Sequence, residues 1–315
     1  MDRCTNRRTE NTTTLNKNEI FDKDKKLDKK LDKKNEKYKI VLIFAHIILL
    51  FIAAQILGLH TGNFIIQDAK HNEIVKNMQI VSVSNEFSTF YIFFYVLLGT
   101  LIMYLIIKFY RGELLFILLE FAIISFSSSV VFYSFLRPMF LEFNAMVIAI
   151  ALGLCFGFSK IAFPQLKNTA AVISAAGAGA VFGLSFNFHQ ALLFLVLLSI
   201  YDYIAVFKTK HMVKMAMVLS KRETAFLISS VQQSTRGEIR FELGTGDIIV
   251  PIILGVSGYQ INLMYSIITF SASVFSLFVL FILIAKEKTV LSALPIIALC
   301  NFIFLGISKL LGWVG

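Results

Sequence analysis

Ala191-Leu-Leu-Phe-Leu-Val-Leu-Leu-Ser-Ile-Tyr-Asp202 is an apolar run that ends on a carboxylate, and Gly244-Thr-Gly-Asp-Ile-Ile-Val-Pro-Ile-Ile-Leu254 is one that opens near a second, Asp247. Runs of this kind fill the chain. Of its 315 residues 57% are hydrophobic and the mean hydropathy is +0.74, well above a soluble globular domain. Long apolar stretches alternate with short basic connectors, which reads as an all-α polytopic membrane protein. An ionisable group inside the hydrocarbon region costs several kcal/mol, so Asp202 and Asp247 are functional candidates by default. Two carboxylates that meet repel unless they share a proton.

The expected organisation is a polar tail over residues 1–39 followed by nine spans. The tail carries the low-complexity run Leu27-Asp-Lys-Lys-Leu-Asp-Lys-Lys34, cannot bury a core, and reads as disordered or as transiently helical at the membrane surface. It is too long and too charged for the leader of a cleaved signal peptide. The spans are Ile40–Leu59, Phe87–Phe109, Glu113–Leu136, Phe143–Phe158, Thr169–Phe186, Gln190–Phe207, Leu243–Gly258, Leu263–Ala285 and Val290–Ser308. Helices one to six thus occupy 40–207, a connector 208–242, and helices seven to nine 243–315. The seventh span is the least hydrophobic, because it opens on glycines and polar residues. Broken backbone at membrane depth is tolerated only where it faces protein or a water-filled cavity, which marks that opening as a site.

Charge tests the span count. With nine spans, 26 of the 30 Lys and Arg fall on the side of the N-terminus; Lys70, Lys76, Arg137 and Lys309 make up the other side. The bias predicts a cytoplasmic N-terminus and an outside C-terminus, with the cell membrane as location. The net charge of +10 therefore speaks for orientation among membrane lipids, with specific anionic-lipid binding by the tail the lesser reading, and not for nucleic acid. Gly153 and Gly157, and Gly179 and Gly183, have the GxxxG spacing of tightly packed helices. Cys4, Cys155 and Cys300 are an odd set with two members inside spans, and His46, His189 and His211 are scattered. Neither a disulfide framework nor a metal or other cofactor is called for.

Among the 20 carboxylates only Glu120, Asp202 and Asp247 fall clearly within spans. Glu120 sits near Ser125, Ser127, Ser128 and Ser129 and reads as a protonated, hydrogen-bonded structural acid. Span six runs inward and ends near Asp202; span seven starts from the same side with Asp247, so both aspartates approach one leaflet. Such a pair can hydrolyse a peptide bond without metal. One ionised aspartate takes a proton from water while its protonated partner polarises the scissile carbonyl. Gly244 and Gly246 allow a bend and close approach of substrate backbone, and Pro251 can bend the helix that follows. Just before them Glu238-Ile-Arg-Phe-Glu-Leu243 alternates with period two, the pattern of a short β-strand before helix seven. Its edge could hold an unwound substrate by β-addition. Proline at Phe241 is expected to abolish cleavage.

Tyr201-Asp202 and Gly244-Thr-Gly-Asp247 resemble the YD and GxGD motifs of presenilins and signal peptide peptidases. The longer strings Tyr-Asp-Tyr-Ile-Ala-Val-Phe-Lys-Thr-Lys-His-Met212 and Gly-Thr-Gly-Asp-Ile-Ile-Val-Pro251 look most like archaeal presenilin homologues. The family's third motif, Pro-Ala-Leu, opens span nine; here Ser292-Ala-Leu-Pro295 stands at that place, with serine in place of the first proline. The resemblance covers 40–315 and not the tail. It implies a presenilin-like fold and an intramembrane aspartyl protease with Asp202 and Asp247 as catalytic pair. Tyr201, Gly244, Thr245 and Gly246 would be motif residues, and Ser292, Ala293, Leu294 and Pro295 would line the substrate side. Substrates would be transmembrane proteins or signal-peptide remnants. No accessory subunit is implied, and a homo-oligomer is left open, as is self-cleavage of the 208–242 connector. Two other classes compete on the residues alone. A proton-coupled transporter would also place acids in spans, but predicts inverted repeats with matching acids, which are not evident. A prepilin-type peptidase shares a GxGD aspartate, with fewer spans and no Tyr-Asp helix.

Overall fold

The structure is a computed structural model that describes residues 36, 38–69, 86–109, 114–209, 224–234, 237–287 and 292–313. The expectation of disorder in the tail, and the first half of the 208–242 connector with His211, lie outside the described residues. Two compact units are formed. The larger comprises Ile47–Ser229 with Glu242–Gly315; the smaller joins Ser230–Phe241 to the segment ending at His46.

A helix is found at each expected apolar stretch. They are α1 (Tyr38–Asp68), α2 (Glu86–Phe109), α3 (Leu114–Leu136), α4 (Glu142–Ala162), α5 (Lys167–Ser185), α6 (Phe188–Tyr203), α7 (Thr245–Tyr259), α8 (Leu263–Glu287) and α9 (Ala293–Leu310). Seven helices among the described residues are long and apolar enough to cross a membrane. The other two give shorter apolar stretches, Thr89–Ile102 in α2 and Thr245–Tyr259. The expected count of nine crossings is therefore met for seven. The first helix is longer than expected, 31 residues or about 46 Å, against a hydrocarbon core of about 30 Å. Helix α7 is shorter than its expected span, because Leu243 and Gly244 belong to a strand. At 15 residues it rises only about 22 Å.

Strands β1 (Leu227–Ser234) and β2 (Gly237–Gly244) pair as a two-stranded sheet. β2 is the strand expected from the alternation at Glu238–Leu243; β1 was not expected. Only two residues separate the strands, so they run antiparallel. The Thr245 N–H donates to the Phe226 carbonyl at 3.0 Å, which fixes the register: Phe226 faces Thr245 and, two steps on, Ile228 faces Leu243. Backbone groups of even-numbered β1 residues point at β2, and those of odd-numbered ones point outward.

Helix α7 is buried on every side from Val250 to Gly258, which its uniformly apolar sequence permits only inside a bundle. It contacts α5, α6, α8 and α9. Two of its side chains act as ridges. A Cβ on Gly179 would meet Ile252 at 2.7 Å and one on Gly183 would meet Val256 at 2.6 Å. Gly58 and Gly62 of α1 present the same gap to the same two residues. Helix α7 is thus gripped between two GxxxG faces; the one on α5 is expected from the spacing, whereas the one on α1 was not. Gly153 and Gly157 serve likewise between α4 and Ser125 and Ser129 of α3. Pro251 removes one helical donor inside α7, and the buried Gln55 of α1 adds one nearby, its Nε2 donating to the Ile248 carbonyl at 3.2 Å.

Candidate functional site

Asp202 lies one residue before the end of α6, whose backbone then passes into a π-helical turn, Ile204–Thr209. Such widened turns recur at functional sites, because they re-aim the side chains beside them. The Asp202 carboxylate is buried. It accepts a hydrogen bond from Ser292 Oγ at 2.5 Å and another from the Leu294 N–H. Ser199, one turn back on α6, shares its hydroxyl proton between the Leu195 carbonyl at 2.7 Å and the Leu294 carbonyl at 3.1 Å. The end of α6 is thereby tied to the start of α9.

Asp247 occupies the first turn of α7, three residues after the strand ends. An acid there is favoured by the helix dipole. Its carboxylate reaches back to the Gly244 N–H, as the third residue of a helix does when it caps its own N-terminus. A Cβ on Gly244 would lie 3.4 Å from Asp247 Oδ2, whereas nothing lies within 4 Å of one on Gly246. Gly246 is exposed, so the space beside Asp247 is open on that side. Thr245 anchors the turn: its Oγ1 and N–H both donate to the Phe226 carbonyl, at 3.1 and 3.0 Å. Helices α6 and α7 are in contact, and the two carboxylates lie within electrostatic reach of each other. Of the other expected site residues, Ser292, Ala293 and Leu294 are buried at the start of α9, and Tyr201 and Pro295 are half-buried.

The outward groups of β1 are already engaged. In the larger unit the Ala225 N–H donates to Glu120 Oε1. Four residues on, Asn168 pairs with Ser229 as a neighbouring strand would, accepting from its N–H at 3.0 Å and donating to its carbonyl at 2.8 Å. In the smaller unit Lys39 Nζ donates to the Gln233 carbonyl at 2.7 Å, and the Phe44 and Phe241 rings pack at 4.6 Å. Positions 225, 229 and 233 all face away from β2, and each is met by a side chain of its own unit.

Glu120 departs from expectation. It does not bond to the neighbouring serines but forms a buried ion pair with Lys160 of α4. Lys160 is accordingly no connector charge, because it lies inside a helix with its ammonium out of water. A buried pair is costly to break from one side. Lys160→Met strands the Glu120 charge and should cost about 3–5 kcal/mol, whereas Glu120→Gln with Lys160→Met together should recover most of it. Thermal unfolding in detergent decides, and equal losses in the single and double variants would count against the pair.

Among the described residues no group of three or more His, Cys, Asp or Glu is placed to hold a metal ion. A recess of about 640 Å³ is lined by Phe121, Phe126, Ile150 and Leu154 among others, and neither aspartate lines it. Its apolar walls offer no group for hydrolysis.

The family model for signal-peptide peptidase, presenilin aspartyl protease matches residues 48–303. No curated protein sequence matches the chain. Two solved structures of a presenilin family intramembrane aspartate protease, in C222 and P2 crystal forms, share the fold. The first is 22% identical, with a TM-score of 0.61 over 85% of this chain and 99% of that one. The second is 20% identical, with a TM-score of 0.57 over 84% and 96%. The family match spans both aspartate motifs and most of the helices, which sets aside the transporter and prepilin-peptidase alternatives. The chain belongs to the signal-peptide peptidase and presenilin family and is an intramembrane aspartyl protease.

Proposed function

We propose that Asp202 and Asp247 are the catalytic pair of this protease. The observation that carries the reading is that two carboxylates on consecutive, contacting apolar helices, α6 and α7, lie within electrostatic reach of each other. Two like charges so placed favour a shared proton. In that state one carboxylate draws a proton from water as the water oxygen attacks the scissile carbonyl carbon, while the protonated partner donates to the carbonyl oxygen. The tetrahedral intermediate then collapses, its hydroxyl proton returning to the now ionised partner and the first carboxyl giving its proton to the departing amine nitrogen as the C–N bond breaks. Tyr201, Gly244, Thr245 and Gly246 shape the two motif turns, and Ser292, Ala293, Leu294 and Pro295 form the substrate side of the cleft.

The substrates in this reading are transmembrane proteins and signal-peptide remnants, with the N-terminus of the substrate outside. A transmembrane substrate arrives as a helix whose amides are already bonded, so it must unwind before hydrolysis. The hairpin can hold the unwound stretch by strand addition. Engagement of β1 at residues 225, 229 and 233 favours β2, which runs directly into Asp247, as the receiving edge. All nine helices cross the cell membrane, with a cytoplasmic N-terminus, an outside C-terminus and the basic 1–39 tail in the cytoplasm. Residues 40–315 form the protease domain, active without an accessory subunit.

A single-span reporter incubated with the purified protein in detergent tests the reaction. Cleavage should show a bell-shaped pH profile, because the pair works only with one proton between its members: acid adds a second, and base removes the first. A rate that climbs steadily to about pH 10 would overturn the shared-proton mechanism.

A further inference from the structure

We propose that Ser292 is a positioning residue of the catalytic pair, holding the Asp202 carboxylate through its hydroxyl. The inference rests on the reading of Asp202 as catalytic and adds a residue whose hydroxyl a proline at the same place could not supply. Ser292 stands at the N-cap of α9 with extended backbone, φ −76° and ψ 124°. A serine there ordinarily turns its oxygen onto the second or third N–H of its own helix. Here it makes no such cap. Its hydroxyl donates to Asp202 Oδ2 at 2.5 Å, and the Leu294 N–H, a cap's usual target, donates to the same carboxylate.

Asp202 therefore caps α9 from another helix, and Ser292 has exchanged its own capping bond for a bond to the aspartate. Two donors from one rigid helix start fix both the position and the rotation of the carboxylate. The Leu294 N–H alone would fix one oxygen and leave the group free to turn about that bond. The Ser199 bond to the Leu294 carbonyl keeps the start of α9 in register with α6. Ser292 is itself buried, so its hydroxyl does not exchange this partner for bulk water. A carboxylate that must meet both water and its partner Asp247 gains from a single orientation, since misplacement by about 1 Å can cost about 100-fold in rate.

The test compares wild type, Ser292→Ala, Ser292→Thr and Asp202→Asn, each as full-length protein in detergent with the single-span reporter. Ser292→Ala should lower kcat about 10- to 100-fold with KM changed less than about twofold. Ser292→Thr, which restores the hydroxyl, should recover kcat to within about fivefold of wild type. Melting temperatures read alongside separate folding from positioning. A lower Tm with an unchanged kcat per folded enzyme would reduce Ser292 to a structural residue and overturn the proposal. A raised KM with unchanged kcat would confine Ser292 to lining the substrate cleft and overturn the positioning role equally. Full cleavage by Asp202→Asn would remove the reading beneath it, whereas an inactive Asp202→Asn with an unimpaired Ser292→Ala would refute the positioning role alone.

Discussion

Asp202→Asn and Asp247→Asn, each made singly, are expected to abolish cleavage of a single-span reporter, a loss of at least about 1,000-fold. The exchange is nearly isosteric, and its effect is confined to protons. An amide neither accepts a proton from water at neutral pH nor gives one to a carbonyl, so either replacement stops the relay at one end. The surroundings are kept. In Asp202→Asn the side chain still offers an oxygen to Ser292 and to the Leu294 N–H, the two donors that meet Asp202. In Asp247→Asn it still offers one to the Gly244 N–H. Neither variant should melt below wild type, and relief of like-charge repulsion could raise the melting point. The double variant should be no less active than either single one, because the two groups act as a unit. Cleavage that persists in both single variants at the wild-type rate would assign the activity to another site or to a contaminant.

Much of this arrangement can be read from the sequence, because hydrophobic runs and membrane-buried acids are local signals. All nine helices lie where apolar runs predict them, and the aspartates lie at the helix ends where a carboxylate costs least. The misreadings share a cause: each involves a partner distant in sequence. Lys160 looks like a connector charge until α3 and α4 are packed and Glu120 is seen 40 positions away. The polar stretch of β1, Leu-Ile-Ser-Ser-Val-Gln-Gln-Ser234, carries little alternation. Its strand character comes from pairing with β2, and its outer edge is satisfied by Asn168, 61 residues earlier. The seventh span is expected to begin its helix at Leu243. Leu243 and Gly244 instead finish the strand, and the helix starts only where Thr245 turns back onto Phe226. Ser292 is the sharpest case. Its departure from the expected proline is visible in the sequence, but the meaning of the departure lies in Asp202, 90 residues away.

Glu242→Pro is expected to cut kcat/KM about 10- to 100-fold while leaving the hairpin assembled, and the register of the strands explains why this position is the informative one. With Phe226 opposite Thr245, the Phe241 N–H points at β1, so proline there breaks a ladder bond and unsettles the turn that carries Asp247. Loss of cleavage in Phe241→Pro would then report a damaged hairpin as readily as a lost substrate contact. The Glu242 N–H points the other way, to the outer edge of β2. Proline is tolerated at an edge when its missing donor faces outward, and its demand for an extended preceding residue suits Phe241. What Glu242→Pro removes is the outward main-chain N–H that an added substrate strand would take up on binding, in exchange for any partner it has in the free enzyme, within one turn of Asp247. Glu242→Ala keeps that donor and should lose far less, which separates the backbone from the side chain. The effect should appear mainly in KM for transmembrane reporters and shrink for a short peptide already extended in solution. Equal activity of wild type and Glu242→Pro on a transmembrane reporter would rule out strand addition at β2, and the unwound substrate would then need another support beside Asp247.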